Sequence, residues 1–118
     1  MTISLLLISH FIGDFVLQSR KIATTKSSKL SSLSIHLVIL FLSLIPVTLL
    51  SKLPIYIPFI YCILHGLQDW FIWRGYKKLY TIRKSPPPYY EDHLFYTTIG
   101  LDQLLHTIIL LSLFTYQF

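Results

Sequence analysis

Charged side chains are scarce in this chain. Asp, Glu, Lys and Arg together make up 13% of its 118 residues, against roughly 25% in an ordinary soluble domain. Acidic residues are scarcer still, five against ten basic ones. The single cysteine, Cys62, excludes an intramolecular disulfide. Internal repeats, strand-like alternation and a glycine-rich phosphate loop are all missing, which removes β architectures and the common nucleotide-binding motifs. No Lys or Arg precedes the first apolar stretch, His10 and Asp14 interrupt it, and no small-x-small site follows. A cleaved signal is therefore not expected, and the stretch reads as a permanent segment.

What is abundant is apolar surface: 53% of the residues are hydrophobic and the mean hydropathy is +0.62. Four apolar segments stand out, at about 2–18, 33–50, 55–73 and 94–116. Each is long enough to cross a ~30 Å hydrocarbon core as a helix. The expected fold is an all-α integral membrane bundle of four transmembrane helices in one domain, 1–118, with loops at 19–32 and 74–93. Pro46 falls late in the second span, where a kink is tolerable, and Pro58 opens the third, where a missing N–H costs little.

The net charge of +5 invites a nucleic-acid partner, but its distribution has a topological explanation. Arg20, Lys21, Lys26 and Lys29 lie between spans one and two, and Arg74, Lys77, Lys78, Arg83 and Lys84 between spans three and four. Only Lys52 lies between spans two and three. Under the positive-inside rule both basic loops face the cytosol and both termini face outward. The expected partner is the lipid bilayer, with no nucleic acid, and a homodimer is plausible because four short helices enclose little volume. The Ser/Thr/Lys stretch 23–32 reads as an ordinary polar loop. Pro86, Pro87 and Pro88 stiffen the other loop as a polyproline arm.

Polar residues inside the apolar segments carry the functional signal. His10, Asp14 and Gln18 recur at i, i+4, i+8 along one helical face, His65 and Asp69 repeat the pair, and Asp102 and His106 reverse it. Three of the five acidic residues thus sit four residues from a histidine. Counted at ~1.5 Å per residue from the expected cytosolic boundary, Gln18, His36 and Asp69 lie within roughly 6 Å, and Asp14 near 8 Å. On the same count His65, Asp102 and His10 lie at about 12 to 14 Å and His106 near 18 Å. Four helices converge on one cytosolic layer. An ionised Asp at a helix centre costs roughly 2.5 to 3.5 kcal/mol, so three of them need compensation. Gly13, Gly66 and Gly100 flank the stripes, and small residues let membrane helices approach closely.

The pattern points to metal. His10, Asp14, His36, His65, Asp69, Asp102 and His106 are the candidate ligands of a divalent transition metal, Zn, Mn or Fe. These seven exceed one tetrahedral site. They suit either a two-metal centre or one metal with Asp14, Asp69 and Asp102 dividing catalytic and supporting roles, while Gln18, Gln68 and Gln103 orient ligands or substrate. A metal there would lower the pKa of bound water toward ~7. The expected activity is a metal-dependent membrane hydrolase acting on a phosphoester or lipid-linked substrate from the cytosolic side. Two alternatives use the same residues: a proton or ion conduit, which calls for polar groups reaching the outer face, and a non-enzymatic module whose polar cluster holds the helices together. Cys62 reads as a small core residue, and neither Ser9 nor Ser34 has a nucleophile's setting.

His10-Phe11-x-x-Asp14-Phe15-x-x-Gln18, His36, His65-x-x-x-Asp69 and Asp102-Gln103-x-x-His106 together resemble the signature of a domain-of-unknown-function family of small polytopic membrane proteins of bacteria and their phages. The resemblance covers nearly the whole chain. It implies a bacterial inner-membrane location and the importance of these positions, and it brings no assigned reaction. The chain departs from that pattern after Asp69, where Trp70 to Trp73 replaces an early basic residue.

Overall fold

The structure, a computed structural model, describes residues 3–115, all helices and connections with no strand among them. Thr2 and Tyr116, the outer ends expected of the first and fourth spans, lie outside the described residues. Helix α1 (Ile3–Phe11) widens into a π-turn, Ile12–Val16. A short helix α2 (Arg20–Thr25) follows, then α3 (Leu30–Leu50), α4 (Tyr56–Ile82), a 3₁₀ turn (Tyr89–Glu91) and α5 (His93–Thr115).

Among the described residues, α3 and α5 are the two helices long and apolar enough to cross a membrane, and the apolar stretch Ile3–Val16 is shorter. Helix α3 runs on through Pro46, and Pro58 sits in the first turn of α4, where it interrupts no ladder bond. The turn between them, with Lys52 at φ 54°, makes α3 and α4 antiparallel neighbours. Helix α3 packs against α1, its π-turn, α2 and α4, while α5 packs on α4.

Both expected loops are more structured than the sequence suggested. The 19–32 connection contains α2, started by the Ser19 side chain accepting from the Ile22 N–H at 3.2 Å. Helix α4 continues through Arg74, Lys77 and Lys78 to Ile82, so the 74–93 loop shrinks to 83–92. No proline stands between Pro58 and Pro86 to stop that helix, and the Tyr76 and Tyr80 rings meet at a tilt one turn apart on it.

Three tiers follow along the 51 Å long axis. At the end away from the basic segments is an apolar floor, where Leu6, Leu40, Leu44, Val47, Ile57, Tyr61, Cys62, Leu110 and Phe114 are all buried. Above it lies a buried polar layer holding His10, Asp14, His36, His65, Asp69, Asp102 and His106. The basic end forms a lid made of α2, the end of α4 and the 83–92 connection. Large apolar side chains point outward instead: Leu42 is 60% exposed, Phe71 67% and Leu104 57%. A buried polar layer together with exposed large apolar side chains departs from the usual arrangement of a protein in water.

Candidate metal centre

Close helix packing brings the ligands together. At Gly13, in the π-turn, an added Cβ would meet Leu40 Cδ1 at 2.9 Å and Ser43 Cβ at 3.0 Å, and at Gly66 it would meet Leu37 Cδ1 at 2.7 Å. These two glycines let α1 and α4 close on α3, so that Asp14 and His65 both reach His36. Gly100 does not share this role, because a Cβ there meets nothing within 4 Å. The π-turn itself is a local widening of the kind that recurs at functional sites, and it holds Asp14 inward.

Asp14, His36, His65 and Asp69 come from three elements and are at most 2% exposed. His36 Nε2 lies 3.1 Å from Asp14 Oδ1, 3.2 Å from Asp69 Oδ2 and 3.1 Å from His65 Nε2. His65 Nε2 lies 3.3 Å from Asp14 Oδ1 and 3.1 Å from Asp69 Oδ2. Five of the six edges of a tetrahedron are thus nearly equal. Tetrahedral zinc with ~2.0–2.1 Å bonds spaces its ligand atoms roughly 3.3–3.4 Å apart. The set could hold a metal ion.

The hydrogen bonding fits a metal better than a self-contained polar cluster. Neither Asp14 Oδ1 nor Asp69 Oδ2 receives a hydrogen bond, although two imidazole nitrogens lie near each. The facing His36 and His65 nitrogens can share at most one proton, so one ring points a lone pair inward. On the far side of its ring, His65 Nδ1 is 3.2 Å from the Tyr61 hydroxyl, a partner able to accept the Nδ1–H and leave Nε2 free as a ligand.

A second set shares Asp69. His106 Nε2 lies 3.0 Å from Asp102 Oδ1 and 3.4 Å from Asp69 Oδ1. His106 Nδ1 donates to Gln68 Oε1 at 2.6 Å, which holds the ring with Nε2 facing the carboxylates. The Gln103 amide donates to Asp14 Oδ2 at 3.1 Å and Asp102 Oδ2 at 3.4 Å, tying α5 to the π-turn. Gln18 reaches the same region, its buried Oε1 without a hydrogen-bond partner.

His10 belongs to neither set. Its Nε2 stays 3.9 Å from Asp14 Oδ2, and its ring stands edge-on to those of Tyr61, His65 and His106. The sequence pattern also missed three contributors. Tyr61 was visible in principle, one turn before His65. Lys26 was not: it arrives from the 19–32 connection, is only 6% exposed, and places Nζ 3.2 Å from Asp69 Oδ1. Arg74 Nε donates to Ser27 O at 2.6 Å, and Lys77 Nζ donates to Thr24 O at 2.9 Å and Ser27 Oγ at 2.8 Å, clamping α2 over the layer. Burial, then the neighbouring Arg74, lowers the Lys77 pKa.

Asp92 is the third. It accepts from Arg83 Nη1 at 2.7 Å, the Tyr76 hydroxyl at 2.9 Å and the Leu94 N–H at 3.1 Å, joining the end of α4 to the start of α5. The Arg83 guanidinium holds its carboxyl below the usual range, and burial with the Asp92 charge pushes the Tyr76 phenol up to about 12.

Between the lid and the polar layer lies a cavity of about 710 Å³, within the ~300–1,000 Å³ of ligand sites. Asp14, Gln18, Lys26, Asp102 and Gln103 supply its polar groups, and Phe15, Trp73, Tyr76, Tyr80, Tyr89 and Phe95 its aromatic walls. The arrangement offers a buried metal-ligand set, a carboxylate–imidazole pair and a mostly apolar chamber beside both. No curated protein and no solved structure matches the chain. The sequence profile of one family covers residues 2–118, essentially its full length, and the chain accordingly belongs to the family described as protein of unknown function (DUF3307).

Proposed function

We propose that the protein is a four-span integral membrane hydrolase that uses one divalent transition metal, zinc by the character of its donor set, to cleave a phosphate ester of an amphiphilic substrate. The near-regular tetrahedron of Asp14 Oδ1, His36 Nε2, His65 Nε2 and Asp69 Oδ2 carries this proposal. Two imidazoles and two carboxylates at that spacing suit zinc. The apolar outer surface supports a bilayer setting, and the basic lid supports a cytosolic mouth.

The metal, when bound, would supply Lewis acidity toward a phosphoryl oxygen and toward water. Asp102 lines the cavity, with its Oδ1 turned to His106. Held by Gln103 and 3.0 Å from His106, it is placed to take the proton of an attacking water. Lys26 and Lys77 line the chamber and attract the phosphate, while the six aromatic rings accept the apolar body of the substrate.

The test is zinc content and phosphate release by detergent-purified protein presented with short-chain phosphatidic acid in mixed micelles. Wild type is expected to carry zinc and release phosphate, and His36→Ala to lose both. Folded wild type that stays metal-free after zinc is added back would refute the proposal.

A further inference from the structure

Two sets of metal-ligand groups share Asp69, and this raises the question of what occupies the second. Asp69 Oδ2 belongs to the tetrahedral set, while Asp69 Oδ1 faces His106 Nε2 at 3.4 Å, with Asp102 Oδ1 a further 3.0 Å from that nitrogen. A carboxylate offering one oxygen to each of two sites is the arrangement a two-metal hydrolase uses. Here, however, Asp69 Oδ1 already has a cation, Lys26 Nζ at 3.2 Å.

Resting on the metal site proposed above, we propose that the Lys26 ammonium is the second cation of the centre and, by pairing with Asp69 Oδ1, takes up the carboxylate oxygen that a second metal ion would need. Each chain then binds one metal, and Asp102 stays free of metal.

The charge count favours one metal ion over two. The layer buries three carboxylates, Asp14, Asp69 and Asp102. Set against them, one divalent ion, the ammonium and a His106 imidazolium between Gln68 and the carboxylates leave one positive charge, whereas two divalent ions beside Lys26 would leave two in a buried site, a costlier state. Among the described residues, Lys26 is the one lysine or arginine paired with a carboxylate of this layer; Arg74 and Lys77 spend their donors on Ser27 and Thr24.

The placement of Lys26 is built rather than incidental. Ser19 caps α2, the Thr25 hydroxyl donates to Ser32 Oγ at 2.7 Å, and Arg74 and Lys77 hold the residues on either side of Lys26 from above. The lysine therefore enters from the lid with its backbone held on both sides. It also lines the cavity, so the same ammonium that neutralises Asp69 faces an incoming phosphate. As a compact charge on a flexible stem, lysine suits that double contact.

Zinc stoichiometry tests this. Protein purified in detergent is saturated with zinc, freed of excess by gel filtration and assayed for zinc per chain. Wild type is expected to hold one. Lys26→Met, which removes the ammonium and keeps the bulk, is expected to rise toward two, and Lys26→Met with Asp102→Asn to return to one. Two zinc ions in wild type, or one in a well-folded Lys26→Met, would overturn the assignment. Should Lys26→Met fail to fold, Asp102→Asn alone decides: one retained zinc agrees with it, and loss of an ion relative to wild type overturns it. Zero zinc in wild type refutes the metal site itself, an outcome separate from the other two.

Discussion

Gly13→Ala isolates what the π-turn does for the metal site. The added methyl would stand 2.9 Å from Leu40 Cδ1 and 3.0 Å from both Cβ and Oγ of Ser43, whereas ordinary contact begins at 3.4 Å. Leu40 is fully buried in the apolar floor, and the Ser43 Cβ is fixed to the backbone of α3. The π-turn must therefore retreat by about 0.4 Å, and Asp14, the next residue, retreats with it. Metal sites tolerate distance errors of about 0.2 Å. A misplaced ligand or supporting group costs roughly 10- to 100-fold in affinity, or about 1.4 to 2.7 kcal/mol. On stability, alanine gains up to about 1 kcal/mol in helix propensity, and overpacking loses about 1 to 3 kcal/mol. The expected net is a loss of up to about 2 kcal/mol on those figures. Gly100→Ala is the matched control, since nothing lies within 4 Å of its Cβ; it should keep wild-type zinc affinity. The assay is zinc competition against a chelator, with thermal melts of both variants in the same detergent. Gly13→Ala binding zinc within about twofold of wild type, well under the 10-fold expected, would refute the claim that contact with α3 positions Asp14.

Further predictions come from other parts of the layer and its lid. Asp69→Asn should remove zinc altogether, as Asp69 Oδ2 completes the tetrahedron; retained stoichiometric zinc in the folded variant would contradict the ligand set. Tyr61→Phe removes the hydroxyl beside His65 Nδ1 and should weaken zinc by roughly 10- to 100-fold with folding intact, again read by chelator competition. Replacing both Arg74 and Lys77 by Ala should release α2, seen as faster hydrogen exchange over residues 20–29, and unchanged protection there would show that the clamp is unnecessary. Asp92 has its pKa lowered by Arg83, so its stabilisation is complete above the unfolded-chain value of ~3.9 and drains as the pH falls from there toward the folded value. Asp92→Asn should flatten the melting profile below about pH 4, and a variant tracking the wild-type decline would refute that linkage.

The stripes were legible because helical periodicity is local. His65 with Asp69, and Asp102 with His106, could be placed on one face from spacing alone, and the structure sets them into one layer with Asp14 and His36. The role of the glycines was legible only in part. Gly13 and Gly66 face α3, while Gly100, equally close to its stripe in sequence, faces open space, and only the assembled bundle distinguishes them. The π-turn changes the winding at Asp14, so the i, i+4 relation to His10 did not carry His10 into the ligand set. Lys26 and Asp92 were illegible for another reason. Each is placed by partners distant in sequence or on another element, Lys26 by Arg74 and Lys77, and Asp92 by Tyr76 and Arg83, and no periodicity encodes such pairings. A polar stretch such as 19–32 has the composition of a solvated loop whether or not it folds back over a site.

The apolar floor gives the chamber a direction. Leu6, Leu40, Leu44, Val47, Leu110 and Phe114 fill the space beneath the polar layer, none more than 1% exposed, and the hydroxyls of Ser43 and Thr48 on α3 are spent on the Ile39 and Leu44 carbonyls. Such a floor offers few polar groups to water or protons. On the proposed reading the chamber has its mouth on the lid side, away from this floor. If the proposed hydrolysis takes place there, substrate and products would share that mouth, and the spent phosphate would have to clear Lys26 before the next molecule could approach. Turnover would then be governed by traffic at the mouth as much as by chemistry at the base.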